Sequence, residues 1–237
     1  MEIIMGRLAY SEVLLAIFIP VAIISFLTPI SRYRRYKPLL FSIGVVAPIY
    51  ILWDELAVIY GTWSFDKYHV IGLYFFYLPL EEVAFFLVVP FSTLLIFEVL
   101  RAKIKGDFPK RIVTFVGLIL SAFFIIFGLL YISKSYTSVA SFFAAFSIIT
   151  ALILDRDLMV RKSLWLYIAI SYIPFIFFDH IMVSLPIFTY GKGSIIGIRI
   201  WGIPFEEFMY VFSLLLLYTV FYDFSRNRLG LGGESLT

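Results

Sequence analysis

Cysteine is absent from all 237 residues, which excludes disulfides, thiolate metal sites and cysteine nucleophiles. Histidine is nearly absent. His69 and His180 are the only two, too few for a metal centre built from imidazoles. No G-x-G-x-x-G dinucleotide fingerprint occurs. Charge is scarce as well, at 15% of residues with a net formal charge of +3. In its place the chain is 62% hydrophobic and 20% aromatic, with 27 Phe and 16 Tyr. Soluble globular domains do not have this balance, and integral membrane proteins do.

A membrane-crossing helix needs about 20 mostly apolar residues. Seven stretches qualify: 8–30, 38–60, 72–100, 112–133, 136–154, 164–184 and 200–223. The third is long enough to begin as an interfacial piece before Pro79. "SRYRRYKP" and "RAKIKGDFPKR" are the clearest linkers, and "GLGGESLT" reads as a flexible tail. The loops after spans one, three and five, with the tail, carry fourteen of the Lys and Arg residues, and the other side carries five. This bias predicts an N-terminus outside and a C-terminus in the cytoplasm. It reads as topology rather than as nucleic-acid binding.

Two phrases put paired carboxylates into otherwise apolar runs: "PLEEVAFFLVVP" at 79–90 and "IPFEEFMYVFSLLLL" at 203–217. Aligning Pro79 with Pro204 sets an offset of 125 residues. The same offset carries Asp54 to Asp179, Glu81 and Glu82 to Glu206 and Glu207, Trp53 to Phe178, Phe65 to Tyr190, Gly72 to Gly197 and Phe85 to Tyr210. In each copy the Asp precedes the first Glu by 27 residues. Such a pattern in a chain so poor in acids marks a duplication.

The expected architecture is therefore an all-α integral membrane protein. Its seven transmembrane helices form two parallel three-helix repeats joined by a connector helix. The division runs 1–104 for the first repeat, 105–134 for the connector, 135–224 for the second repeat and 225–237 for the tail. Spans one and five enter in the same direction, so the two repeats are expected to be related by an axis along the membrane normal.

An acid at the centre of a span costs about 2.5–3.5 kcal/mol on insertion scales, so such residues usually face a cavity and have a function. Desolvation disfavours ionised carboxyls, and a cluster of them in lipid is a store of acid in a dry place. Adjacent helical residues point about 100° apart, so one Glu of each pair is expected to face the cavity and the other a neighbouring helix. Glu98 and Asp223, near the inner span ends, read as hydrogen-bonded structural acids, and Glu12, Glu55 and Asp66 as boundary residues. Asp155 and Asp157 in "LDRDLMVRK" read as a solvated loop rather than a magnesium site. His180 has Glu55 at its matching place and reads as a satisfied core residue. The aromatic excess packs helices and marks interfaces. It also offers π faces that stabilise cations.

"WDELAVIYGTWSF" with "PLEEVAFF", and "FDHIMVSLPIFTY" with "PFEEFMYVF", resemble the membrane-bound, flavin-independent lycopene cyclase family, in its archaeal single-chain form. The resemblance covers essentially the whole chain. It implies an intramolecular lyase-type isomerase that closes lycopene ends to β-rings without a cofactor or a metal. It implies Glu81, Glu82, Glu206 and Glu207 as general acid and base, so that Glu81→Gln or Glu206→Gln would abolish ring formation, with Asp54 and Asp179 as supporting acids. Trp53, Trp63, Phe65, Phe85, Phe178, Tyr190, Trp201 and Tyr210 would contact the substrate. The partners implied are lycopene, the bilayer, and phytoene synthase or other carotenoid enzymes.

Other readings meet specific obstacles. Span seven has no lysine for a retinal Schiff base. Only "DRD" approaches a prenyl-transferase motif. An assembly subunit would not explain the repeated acids. A transporter or proton channel would use the paired acids as a relay and is the alternative function.

Overall fold

A computed structural model describes residues 8–231. Residues 1–7, which include Arg7, and residues 232–237 at the end of the tail lie outside this range. The helices are α1 (Ala9–Phe26), α2 (Tyr36–Ile59), α3 (Leu80–Lys103), α4 (Lys110–Leu130), α5 (Ser135–Leu154), the short α6 (Arg156–Val160), α7 (Lys162–Ser184) and α8 (Phe205–Arg228). All but α6 are long and apolar enough to cross a membrane. The protein is an all-α, multi-pass membrane protein built from two parallel three-helix repeats, with α4 as connector.

Several boundaries shift by a few residues from the sequence reading, the last helix running to Arg228 into the expected tail, and three differences have a local cause. The third span starts at Leu80 instead of 72, because β2 (Tyr74–Phe75) and β3 (Leu78–Pro79) fold as a hairpin. The seventh starts at Phe205 instead of 200, because β5 (Arg199–Ile200) and β6 (Ile203–Pro204) do the same. An apolar run alone does not separate a short strand from a helix. Pro79 and Pro204 decide the boundary. Each stands just before its helix in extended backbone, where its missing N–H costs nothing. Third, "DRD" is not a loop. Asp155 caps α6 by accepting the Leu158 amide at 2.9 Å.

The repeat is written into the elements. The bounds of α3 and α8 differ by 125 residues at both ends, as do those of the two hairpins. Phe76 and Trp201, also 125 apart, both turn their hairpins with φ of 51°. Between the repeats, β1 (Trp63–Phe65) pairs antiparallel with β4 (Phe188–Tyr190). Ser64 lies opposite Thr189, its own counterpart, so the pseudo-twofold axis passes through this ribbon. The ribbon continues symmetrically, with the Gly191 amide donating to the Thr62 carbonyl and the Asp66 amide to the Ile187 carbonyl. Only glycine fits at 191, because a Cβ there would meet the Gly61 carbonyl oxygen at 2.0 Å.

Helix α8 is the most enclosed and packs against α5, α2, α3 and α7. Helix α4 lies along α5 and turns Leu118, Ile126 and Leu130 outward, the pattern of a lipid-facing helix.

Candidate active site

The two repeats supply one site. Asp54 and Asp179 lie near the ends of α2 and α7, and Glu82 and Glu207 in the first turns of α3 and α8. All four line one cavity of about 320 Å³. Its remaining wall is almost wholly apolar or aromatic and runs inward to Ser92, Thr93 and Leu214.

Glu81 and Glu206 are not in the lining. Glu81 accepts the Ser11 hydroxyl at 2.9 Å and the Ile71 amide at 2.7 Å. Glu206 accepts the Thr137 hydroxyl and the Ile196 amide, the latter at 2.8 Å. Each holds the loop that precedes its own helix. The division within each Glu pair follows from helical geometry, since consecutive side chains diverge by about 100°.

The four cavity acids have unequal partners. The Tyr10 hydroxyl donates to Glu82 at 2.5 Å, and the Glu82 and Asp54 carboxyls are within hydrogen-bonding reach of each other. Two carboxyls in such contact need a proton between them. Tyr210 donates to Asp54 Oδ1 at 2.8 Å. Glu207 accepts the Tyr190 hydroxyl at 2.7 Å, and the Tyr136 hydroxyl also reaches it. Burial, and then the charge of Glu207, push the Tyr190 phenol well above its ordinary value, so it remains a donor. Asp179 keeps a buried oxygen with no hydrogen-bond partner. The place that Tyr210 fills for Asp54 is Phe85 in the other copy, and Phe85 has no hydroxyl to give.

Of the expected aromatic contacts, Trp63, Phe65, Phe85, Phe178, Tyr190 and Tyr210 line the cavity. Trp53 does not. It packs edge-on to Trp63 at 5.9 Å, behind the lining. Trp201 is also elsewhere. It sits 57% exposed at its hairpin turn, stacked on the His180 ring at 3.9 Å. His180 Nδ1 lies 2.8 Å from the Trp201 carbonyl. Glu55, its counterpart, accepts the Tyr77 amide at 3.0 Å. Both residues pin a hairpin. Tyr10 and Tyr136 escaped the sequence reading. Neither has a tyrosine at its matching place, Ser135 and Ser11, so the duplication did not point to them.

Glu98, Asp157 and Asp223 meet basic partners at the other end of the helices. Arg226 donates to Glu98 at 3.0 Å, and Arg101 and Arg161 both pair with the fully buried Asp223. Asp157 pairs with Lys110 at 2.6 Å on the surface.

A family model described as lycopene cyclase matches residues 8–100 and 133–225, one segment for each repeat. No curated protein and no solved structure matches the chain.

Proposed function

The chain belongs to the lycopene cyclase family, and from that membership and the cavity's geometry we propose that it closes both linear ends of lycopene to β-rings, giving β-carotene by way of γ-carotene. This is a redox-neutral isomerisation. The observation that carries it is the convergence of four carboxyls from two repeats on one aromatic, largely apolar cavity.

The pattern of donors divides the roles. The Asp54–Glu82 pair holds a proton between its carboxyls and is the general acid. It protonates C2 of the terminal C1=C2 bond, leaving a tertiary cation at C1. The C5=C6 electrons then form the C1–C6 bond, and the cation moves to C5. Glu207, which receives phenolic donors, is the base. It removes the C6 proton, and the C–H electrons become the ring double bond. One proton is given and one is taken, so transfer within the cluster resets the site. The ring faces of Trp63, Phe65 and Phe178 stabilise the cation, and exclusion of water prevents its capture as an alcohol. Asp179 supports this set, and Glu81 and Glu206 act as positioning residues. We also place the N-terminus outside and the C-terminus in the cytoplasm, on the distribution of basic residues.

The test is pigment analysis of lycopene-producing cells that express the chain. Glu82→Gln and Glu207→Gln should each lower ring formation by about 10²-fold or more, with the protein still accumulating in the membrane. An unchanged β-carotene yield from either variant would refute these roles.

A further inference from the structure

The chain is duplicated, but its cavity is not. The cavity lies on the side of α1, α3 and α7, where Ala16 and Pro20, Ser92 and Thr93, and Ser171 and Pro174 form its inner wall. The 125-residue offset maps this wall onto α5, α8 and α2. There Ser92 and Thr93 become Leu217 and Tyr218, Ser171 becomes Val46, and Phe175 becomes Tyr50. All four replacements are larger or more apolar, and all are buried. The two tyrosines are also tethered. Tyr218 donates to the Phe86 carbonyl at 2.8 Å, and Tyr50 shares a hydrogen bond with Ser213 at 2.7 Å. The space that symmetry would open is filled.

The two flanks differ in the same sense. Helix α4 seals α5 so closely that a Cβ at Gly128 would stand 2.9 Å from the Phe142 ring. Among the described residues no helix covers α1 in this way. Helices α1 and α7 meet near the ribbon through Val13, Leu14 and Met182. Farther inward Ala16, Pro20 and Pro174 line the cavity and are also exposed. Prolines interrupt all three helices around the cavity, at Pro20, Pro90 and Pro174, whereas of the three helices on the filled side only α2 contains one, Pro48. Such residues bend helices away from close parallel packing.

We infer that the duplicated chain has a single working cavity, open sideways to lipid between α1 and α7, which admits one end of a long linear polyene at a time. Under the cyclase reading, on which this rests, the second end cannot react without leaving and returning reversed. The singly cyclised carotenoid is therefore released into the membrane between the two ring closures.

The experiment uses the full-length chain in liposomes with lycopene in molar excess over protein. Monocyclic product should accumulate beyond the amount of enzyme, whether or not a second ring follows. Bicyclic product formed while the monocyclic species stays below the enzyme concentration would overturn the inference. Ser92→Leu with Thr93→Tyr, which transplants the residues of the filled side, should stop ring formation. Ala16→Phe should do so from an exposed position where folding is not at stake. Phe146→Trp, on α5 at the place matching Val21 of the open side, should leave the rate unchanged. Full activity in Ala16→Phe refutes the proposed mouth. If the wild type forms no ring at all, the cyclase reading fails separately. Quenching of tryptophan fluorescence by lycopene then decides the cavity: loss in Ala16→Phe relative to wild type supports it, and equal quenching in the two refutes it.

Discussion

Adjacent glutamates divide their work because a helix advances about 100° per residue. Glu81 spends one oxygen on the Ser11 hydroxyl and the Ile71 amide, while Glu82 faces the cavity. Glutamine keeps a carbonyl oxygen that can accept both of Glu81's donors, but it cannot deliver a carboxylic proton. Glu81→Gln should therefore retain ring formation in lycopene-producing cells, against the expectation from sequence alone. Glu81→Ala should lose stability by about 1–3 kcal/mol, because the Ile71 amide is left without its acceptor. Thermal unfolding in detergent measures the second effect, and loss of activity in Glu81→Gln would return this residue to the chemistry. The acids themselves were legible in the sequence, since they are few and repeated. Which of each pair faced inward was not, because that depends on where the helix starts. Tyr10 and Tyr136 were illegible for another reason: one phenol among 16 tyrosines carries no mark of its partner.

At the scale of elements, the helices were legible from length and apolarity, and the hairpins were not. Residues 72–79 and 197–204 continue the hydrophobic run, so only Pro79 and Pro204 signalled the change from strand to helix. The short α6 was hidden by its charges, which suggested solvent. Its cap offers a test by pH. Burial, and then the neighbouring Asp223, push the Asp155 carboxyl from its ordinary value up to about 6. A carboxyl raised in the folded state binds its proton more tightly there than in the unfolded chain. Its contribution therefore falls as pH rises from about 4 to about 6. Asn caps a helix about as well as Asp and does not titrate in this range. Asp155→Asn should gain stability relative to wild type as pH is raised from 4 to 7, with little difference between the two at pH 4. Melting temperatures of both proteins across that range check this, and a constant difference would show that Asp155 does not titrate within it.

For the whole molecule, the bias of basic residues toward one set of loops implies a C-terminus in the cytoplasm. Reporter fusions active only on the cytoplasmic side should work at the C-terminus and fail in the loop near Lys67. The reverse pattern would invert the topology. The duplication makes a stronger demand. Asp54 and Glu82 come from the first repeat, and Asp179 and Glu207 from the second. The joint between them is continuous, through the β1–β4 ribbon, Tyr210 to Asp54, and Tyr218 to the Phe86 carbonyl. A cut between Lys105 and Gly106 spares these contacts. It also leaves the hydrogen bonds from the Phe108 amide to the Val160 carbonyl and from the Lys162 amide to the Gly106 carbonyl within the second fragment. What the cut removes is the effective concentration supplied by the connection. Fragments 1–105 and 106–237 should therefore convert no lycopene when expressed singly, because each holds half of the acid cluster. Co-expressed in one membrane they should recover ring formation, at a rate that rises with expression level. Activity from either fragment alone would mean that one repeat carries a complete site, and the shared cavity would then not be where the reaction occurs.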